Sequence, residues 1–288
     1  MPGTDKKTKK RKIITIVLLA AVLLNITMNL AGNALQTEHY TLTTDKLTRP
    51  VRIVFISDLH DCTYGGKDQS QLMDAIRQER PDIVLFGGDV IDDYHKSTDN
   101  AVLLMKMVLE EYPCAYASGN HEVRRKDTEE FYAAVASLGI PVLHGEYTDI
   151  TVNGQTIRIS GLINAYNYPQ QLTDCLAAPD GEKYSILLSH HPEQFDYILS
   201  ESEGREHRYD LILSGHAHGG QWRIPGLLDQ GLFAPDQGLF PEFTCGQREK
   251  NGTVQIVSRG LAKTLRMALI PRIFNRPELS VIDIIPQT

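Results

Sequence analysis

Five short apolar runs recur along the chain, and each stops at a polar residue able to bind a metal ion. They are Arg52–Ser57, Asp82–Gly88, Cys114–Gly119, Tyr184–Ser189 and Tyr209–Gly215. Each is rich in Val, Ile, Leu or aromatic side chains and bounded by turn residues, the pattern of buried strands. Between them the apolar positions change to helical spacing. Leu72, Met73 and Ile76 share a face of Gln69–Arg80, which stops before Pro81. Val102, Leu103, Met107 and Leu109 do the same within Thr98–Glu111. Acidic residues at Asp127, Glu129 and Glu130 suit the first turn of a helix that runs to a C-terminal Gly139. Pro192–Ser200 reads as a further short helix, and Thr156–Leu162, Thr253–Val257 and Leu279–Ile284 as strands. This alternation predicts an α/β fold in which loops following the strands gather at one rim. Gly219–Asn251, rich in Gly, Pro, Gln and aromatic residues, predicts a wall or lid beside that rim.

The 288 residues, 42% of them hydrophobic, suffice for one large domain with a substantial core. Charge is divided unevenly. Residues 1–12 hold five lysines and one arginine against one aspartate, whereas the whole chain carries −7, which leaves −12 on residues 13–288. So acidic a body speaks against nucleic acid as a partner. Ile13 to Ala31 is uncharged and about long enough to span a bilayer. The basic tip at 1–12 predicts a cytoplasmic N-terminus, a single-pass transmembrane anchor at 13–31 and a body outside the cytoplasm, at the cell membrane. A cleaved signal peptide ending near Gly32-Asn33-Ala34 is the rival reading. Residues 32–50 read as a linker with one strand, and 51–286 as the main domain. Cys62, Cys114, Cys175 and Cys245 show no CxxC spacing, which speaks against a thiolate zinc site, and Cys114 reads as a core residue.

The candidate ligands are Asp58, His60, Asp89, Asn120, His190, His216 and His218. Asp58-x-His60 and His216-x-His218 put two donors on alternate positions, so both can turn toward one ion. Gly87-Gly88-Asp89 exposes one carboxylate at a sharp turn, where it could bridge two ions. Any one of these motifs is common in ordinary loops; five strand ends that each deliver a ligand are not. Asp, Asn and His donors without thiolate suit Mn, Fe or Zn ions.

The series Asp58-x-His60, Gly88-Asp89-x-x-Asp92, Gly119-Asn120-His121-Glu122, His190-x-Pro192 and Gly215-His216-x-His218 resembles the calcineurin-like metallophosphoesterase superfamily. Gly215–Gln221 together with Ser258–Leu261 resembles its membrane-associated bacterial phosphodiesterase branch. The resemblance implies a four-layer α/β/β/α sandwich carrying two divalent metal ions. One ion would take Asp58, His60, His218 and a bridging Asp89; the other would take Asp89, Asn120, His190 and His216. It selects His190 over His191, gives Asp92 a turn-stabilising role, and shows Glu122 where the family often has Asp.

The expected activity is hydrolysis of a phosphate ester, diester or monoester, by a metal-bridging hydroxide. His121 would protonate the leaving group, or else support Asp58. The anchor makes a lipid-linked or cell-envelope ester attractive. A catalytically silent binding scaffold and a cytoplasm-facing nucleotide phosphodiesterase are the alternatives. Arg223, Arg259, Arg266, Arg272 and Arg276 are candidate phosphate contacts, and Trp222, Phe233, Phe240 and Phe243 a candidate apolar wall.

Overall fold

The computed structural model describes residues 32–263 and 272–287, with positions 9, 11, 12, 14–16 and 19 nearer the N-terminus. The apolar run expected to form an anchor therefore lies almost wholly outside the described residues. Among the described residues no helix is long and apolar enough to cross a membrane.

In chain order the first strands are β1 (Gln36–Thr44), β2 (Val51–Ile56), β3 (Ile83–Gly87), β4 (Cys114–Ala117) and β5 (Val142–Leu143). Next come β6 (Tyr147–Val152), β7 (Gln155–Leu162), β8 (Tyr184–Ser189) and β9 (Leu211–Ser214). The last are β10 (Phe233–Ala234), β11 (Gly238–Leu239), β12 (Gly246–Lys250), β13 (Thr253–Val257) and β14 (Glu278–Pro286). The helices are α1 (Ser70–Glu79), α2 (Asp99–Leu109), α3 (Asn120–Arg124), α4 (Thr128–Ser137), α5 (Pro169–Leu176) and α6 (Phe195–Glu201).

Two six-stranded sheets result, ordered β1-β14-β2-β3-β4-β5 and β12-β13-β9-β8-β7-β6, beside a small β10-β11 ribbon. Strict alternation within the strands builds the layers. Ile53 and Phe55 of β2, Ile83 and Leu85 of β3 and Ala115 of β4 meet Ile157, Ile159, Ile186, Leu188, Leu211 and Leu213 between the sheets. The intervening Val54, Ile56, Val84, Phe86 and Tyr116 face α1, α2 and α4 through Leu72, Met73, Ile76, Leu104, Met105 and Val135. Leu187 and Ile212 likewise face α5 and α6. Fully burying one such side chain contributes about 1.5–3 kcal/mol. Both faces of both sheets are thus covered, which is why the strands read as near-continuous apolar runs.

The stretch expected as a linker at 32–50 holds its strand within the fold. β1 runs parallel to β14 over its whole length, and Leu42 and Leu47 are buried. Two hairpins turn at Asn153-Gly154 and Asn251-Gly252, all four residues at positive φ, as a two-residue turn of this hand requires. Helix expectations at 69–80 and 98–111 match α1 and α2, and 192–200 resolves into a 3-10 turn followed by α6.

Candidate metal centre

β2, β3 and β4 run parallel in one sheet, β7, β8 and β9 in the other, so their carboxyl ends open on a common rim. The β2 and β3 loops are laced together there. The Asp58 and His60 amides donate to the carbonyls of Gly88 and Asp89 at 3.0 Å each. The His216 amide donates to the Asp58 carboxylate at 3.0 Å, joining the β9 loop to them. Close approach demands glycine at Gly119, where a β-carbon would overlap the Asp89 carboxylate.

Donor atoms of Asp58, His60 and His218 lie within 4.8 Å of one another, and so do those of Asp89, His190 and His216. Asp89 stands between the groups. Its Oδ2 is 3.0 Å from His190 Nε2, 3.9 Å from His121 Nε2 and 4.0 Å from His60 Nε2. The Nε2 atoms of His190 and His218 are 3.8 and 3.7 Å from Asp58 Oδ1. His60 Nε2, Asn120 Oδ1 and His218 Nδ1 are buried without a hydrogen-bond partner, while the buried Asp89 Oδ2 and His190 Nε2 are paired with each other. An orphaned buried polar atom costs about 1–3 kcal/mol, and three of them on residues of this cluster fit a site for cations. The donor set of oxygen and imidazole suits Mn, Fe or Zn.

The electrostatics suit three of the same ligands. Burial pushes His60 down to about 3 and His216 to about 4, and holds His218 well below the usual imidazole value, so all three are neutral near pH 7. Burial would also lower His190, but Asp89 and then Asp58 outweigh it and raise that imidazole to about 10. Burial alone would raise Asp89, yet His190 and His121 hold its carboxyl well below the usual range. His190 Nδ1 meets the Gly87 carbonyl at 2.7 Å, which directs its Nε2 inward.

Five of the seven candidate ligands, Asp58, His60, Asp89, His216 and His218, have φ between 48° and 64°. Left-handed backbone costs a non-glycine residue about 1–2 kcal/mol. Such strain concentrates at functional sites, where the surrounding structure enforces it.

His121, at the start of α3, faces Asp89 and Asp93. Its Nδ1 is 2.6 Å from Asp93 Oδ1. Asp92 accepts the amides of Tyr94 and His95 at 2.9 and 2.6 Å, the turn-stabilising role expected of it. Glu122 does more than preserve a charge. Buried, it accepts the amides of Asp89 and Gly119 on one oxygen and those of Val90 and Ile91 on the other.

Two carboxylates were invisible to the sequence reading. Asp93 is one. The other is Asp236, which reaches from the β10-β11 ribbon to His216 Nε2 at 2.8 Å and to His191 Nδ1 at 3.6 Å. Within Gly219–Asn251 it is thus the turn carrying Asp236 that walls the site. His191 also meets Glu193 at 3.1 Å. A cavity of about 700 Å³ opens beside Asn120, lined also by Arg124, Asn164, Tyr166, His191 and Asp236.

Other expectations are corrected. Arg259 pairs with Glu278 and Glu38, buried Arg272 donates to the carbonyls of Ala262, Arg259 and Gly260, and Arg276 donates to those of Ala34 and Leu35. These arginines stitch the C-terminal segment to the body and are not set out as phosphate contacts. Arg266 lies outside the described residues. Phe243 packs with Ala217, Ala234 and Val257, while Trp222, Phe233 and Phe240 stand exposed. Cys114 is buried in the core as expected, its thiol pushed up to about 12.

Residues 51–220 match the calcineurin-like phosphoesterase family. The Bacillus subtilis protein YpbG is 30% identical over 78% of this chain and 81% of its own length. The Caenorhabditis elegans protein F40B5.2 is also 30% identical, over 59% of this chain and 37% of its own. A Danio rerio relative, named a transmembrane protein with metallophosphoesterase domain, is 26% identical over 76% of this chain and 51% of its own. The chain thus spans little more than a third of one of these relatives and about half of another. Fold, site and sequence agree over the body, and the chain belongs to the calcineurin-like phosphoesterase family.

Proposed function

We propose that the chain is a metal-dependent phosphoester hydrolase built on a dinuclear centre. One divalent cation would be held by Asp58, His60, His218 and Asp89, and a second by Asp89, Asn120, His190 and His216. The carrying observation is the convergence of ligand atoms, those of Asp58, His60 and His218 and those of Asp89, His190 and His216 each lying within 4.8 Å of one another. Bound there, Mn, Fe or Zn ions would polarise the phosphoryl oxygens and make water nucleophilic near neutral pH.

The chain's own residues supply orientation and proton transfer. His190 is turned inward by the Gly87 carbonyl, and His216 is steadied by Asp236. His121 gives its Nε2 proton to the leaving oxygen, with Asp93 holding the opposite nitrogen. The cavity beside Asn120 takes the rest of the ester, with Arg124 on its wall.

The uncharged run at 13–31 behind a basic tip supports a single-pass anchor with the domain outside the cytoplasm. The Danio rerio relative carries its phosphoesterase domain in a protein named as transmembrane. A lipid-linked or envelope phosphate ester is the substrate class that suits this placement.

The full chain, metal-stripped in detergent, is the test. Mn should restore hydrolysis of bis-p-nitrophenyl phosphate or p-nitrophenyl phosphate, the preferred ester separating diesterase from phosphatase, and Asp89→Asn should abolish it. Inactivity with Mn, Fe and Zn alike overturns the reading.

A further inference from the structure

Six large apolar side chains that the hydrolysis does not use stand exposed together. They are Trp222, Leu227, Phe233, Leu239, Phe240 and Phe274, each between 41% and 75% exposed. The backbone ties them into one region. Trp222 pairs with Ile273, which sets Phe274 beside it. The Leu232 amide donates to the Gly220 carbonyl at 2.9 Å, and Phe233 pairs with Leu239 across the ribbon. Leu227 sits in the turn closed by Ile224 and Leu228. Asn275 fastens the region to the metal site, donating to the carbonyls of His218 and Gln221 at 2.7 and 3.1 Å. Exposed apolar side chains gathered in one region mark an interaction surface.

A second observation identifies the occupant. Gly32 is where the uncharged run at 13–31 enters the fold, and a β-carbon there would lie 2.5 Å from the Arg272 carbonyl oxygen. Arg272 immediately precedes Ile273 and Phe274. The apolar run thus joins the domain at the root of the exposed patch. Charge is not the attraction, because residues 219–245 and 272–276 together hold Arg223, Arg272 and Arg276 against Asp229, Asp236 and Glu242. Trp and Phe at the edge of a domain suit the boundary between headgroups and acyl chains.

We infer that this face seats in the surface of a lipid bilayer, bringing the metal rim against the headgroups, where a phosphate ester borne on a lipid is within reach. The substrate part rests on the proposed hydrolase; the seating does not.

Trp222 is the sole tryptophan, so its emission reports the patch directly. The full chain would be reconstituted in vesicles of phosphatidylethanolamine and phosphatidylglycerol. The expected result is emission quenched by lipids brominated in the acyl chains and shielded from aqueous iodide, with little dependence on salt. Emission quenched by iodide and untouched by brominated lipid overturns the inference, and a protein partner would then be the occupant to seek. Leu227→Asp and Phe240→Asp, both at exposed positions, should return Trp222 to iodide. They should also lower hydrolysis of a vesicle-borne phosphodiester about tenfold while leaving bis-p-nitrophenyl phosphate unaffected. Lipid quenching in a chain inactive on every ester would support the seating and remove the hydrolase.

Discussion

One oxygen of Glu122 accepts the backbone amide of Asp89 at 2.9 Å, so a side chain at the start of α3 fixes the main chain carrying the central carboxylate of the β3 loop. The same oxygen takes the Gly119 amide at 2.9 Å, and the other takes Val90 and Ile91 at 2.7 and 3.2 Å. Glu122→Gln would turn an NH₂ group toward one pair of these donors. Each buried amide left unpaired costs about 1–3 kcal/mol, so a loss of roughly 2–4 kcal/mol is expected in urea unfolding. Calorimetric titration should show metal binding weakened about 10- to 100-fold. An unchanged metal affinity would mean that the loops hold their positions without Glu122.

Asp93 stands to His121 as a carboxylate stands to a catalytic imidazole, 2.6 Å from the nitrogen opposite the one facing Asp89. General-acid catalysis is worth about 10²–10⁴, and less where the leaving group departs unaided. His121→Ala should therefore cost far more with an alkyl leaving group than with p-nitrophenolate, and Asp93→Asn should follow the same order with a smaller loss. Equal losses for both leaving groups would remove His121 from proton transfer.

Asp236 holds His216 from a segment outside the matched family region. Asp236→Asn should weaken binding of the metal about 10- to 100-fold, readable in a competitive chelator titration. Asp236→Glu should recover part of the loss, since the segment carrying the residue is exposed and has room to adjust. No weakening would make the contact incidental.

Acid should destabilise the metal-free protein through His60. Burial lowers this imidazole to about 3 from an ordinary 6.5. Between those values the unfolded chain binds a proton that the native state refuses. The stabilisation from this group is complete above pH 6.5 and is lost as pH falls toward 3. His190, raised to about 10, is protonated in both states from about pH 5.5 downward and adds no slope there. Urea midpoints between pH 6.5 and 4.5 should fall less steeply in His60→Asn than in the parent. Parallel slopes would show that His60 is hydrated in the metal-free fold.

What could be read from the residues was whatever the chain encodes locally. The seven candidate ligands were legible because each ends an apolar run, and the runs were legible because both sheet faces are covered. β1 was harder to see, since its partner β14 lies at the other end of the chain and its own sequence is polar. The Asn153-Gly154 and Asn251-Gly252 turns carried a hairpin signal that went unread, and Pro169 at the first turn of α5 was another. Asp93 and Asp236 could not have been picked out. An aspartate beside Asp92, or one in a Gly- and Pro-rich loop, looks like any turn residue until folding sets it against an imidazole. The arginines misled for the converse reason, because a guanidinium bonded to main-chain carbonyls has the same sequence appearance as one awaiting phosphate.

The left-handed backbone at Asp58, His60, Asp89, His216 and His218 implies that abundance and activity make opposite demands on these positions. Glycine would relieve the torsion at all five, and at His60 and His218 it would also remove an imidazole nitrogen buried without a hydrogen-bond partner. In a library of variants sorted only by the amount of folded protein in the cell, glycine should be tolerated or enriched at such positions. Sorted by turnover, the same substitutions should vanish. The rim would then appear as a ring of residues whose fitness ranking inverts between the two screens, and that inversion could locate the centre without any structure.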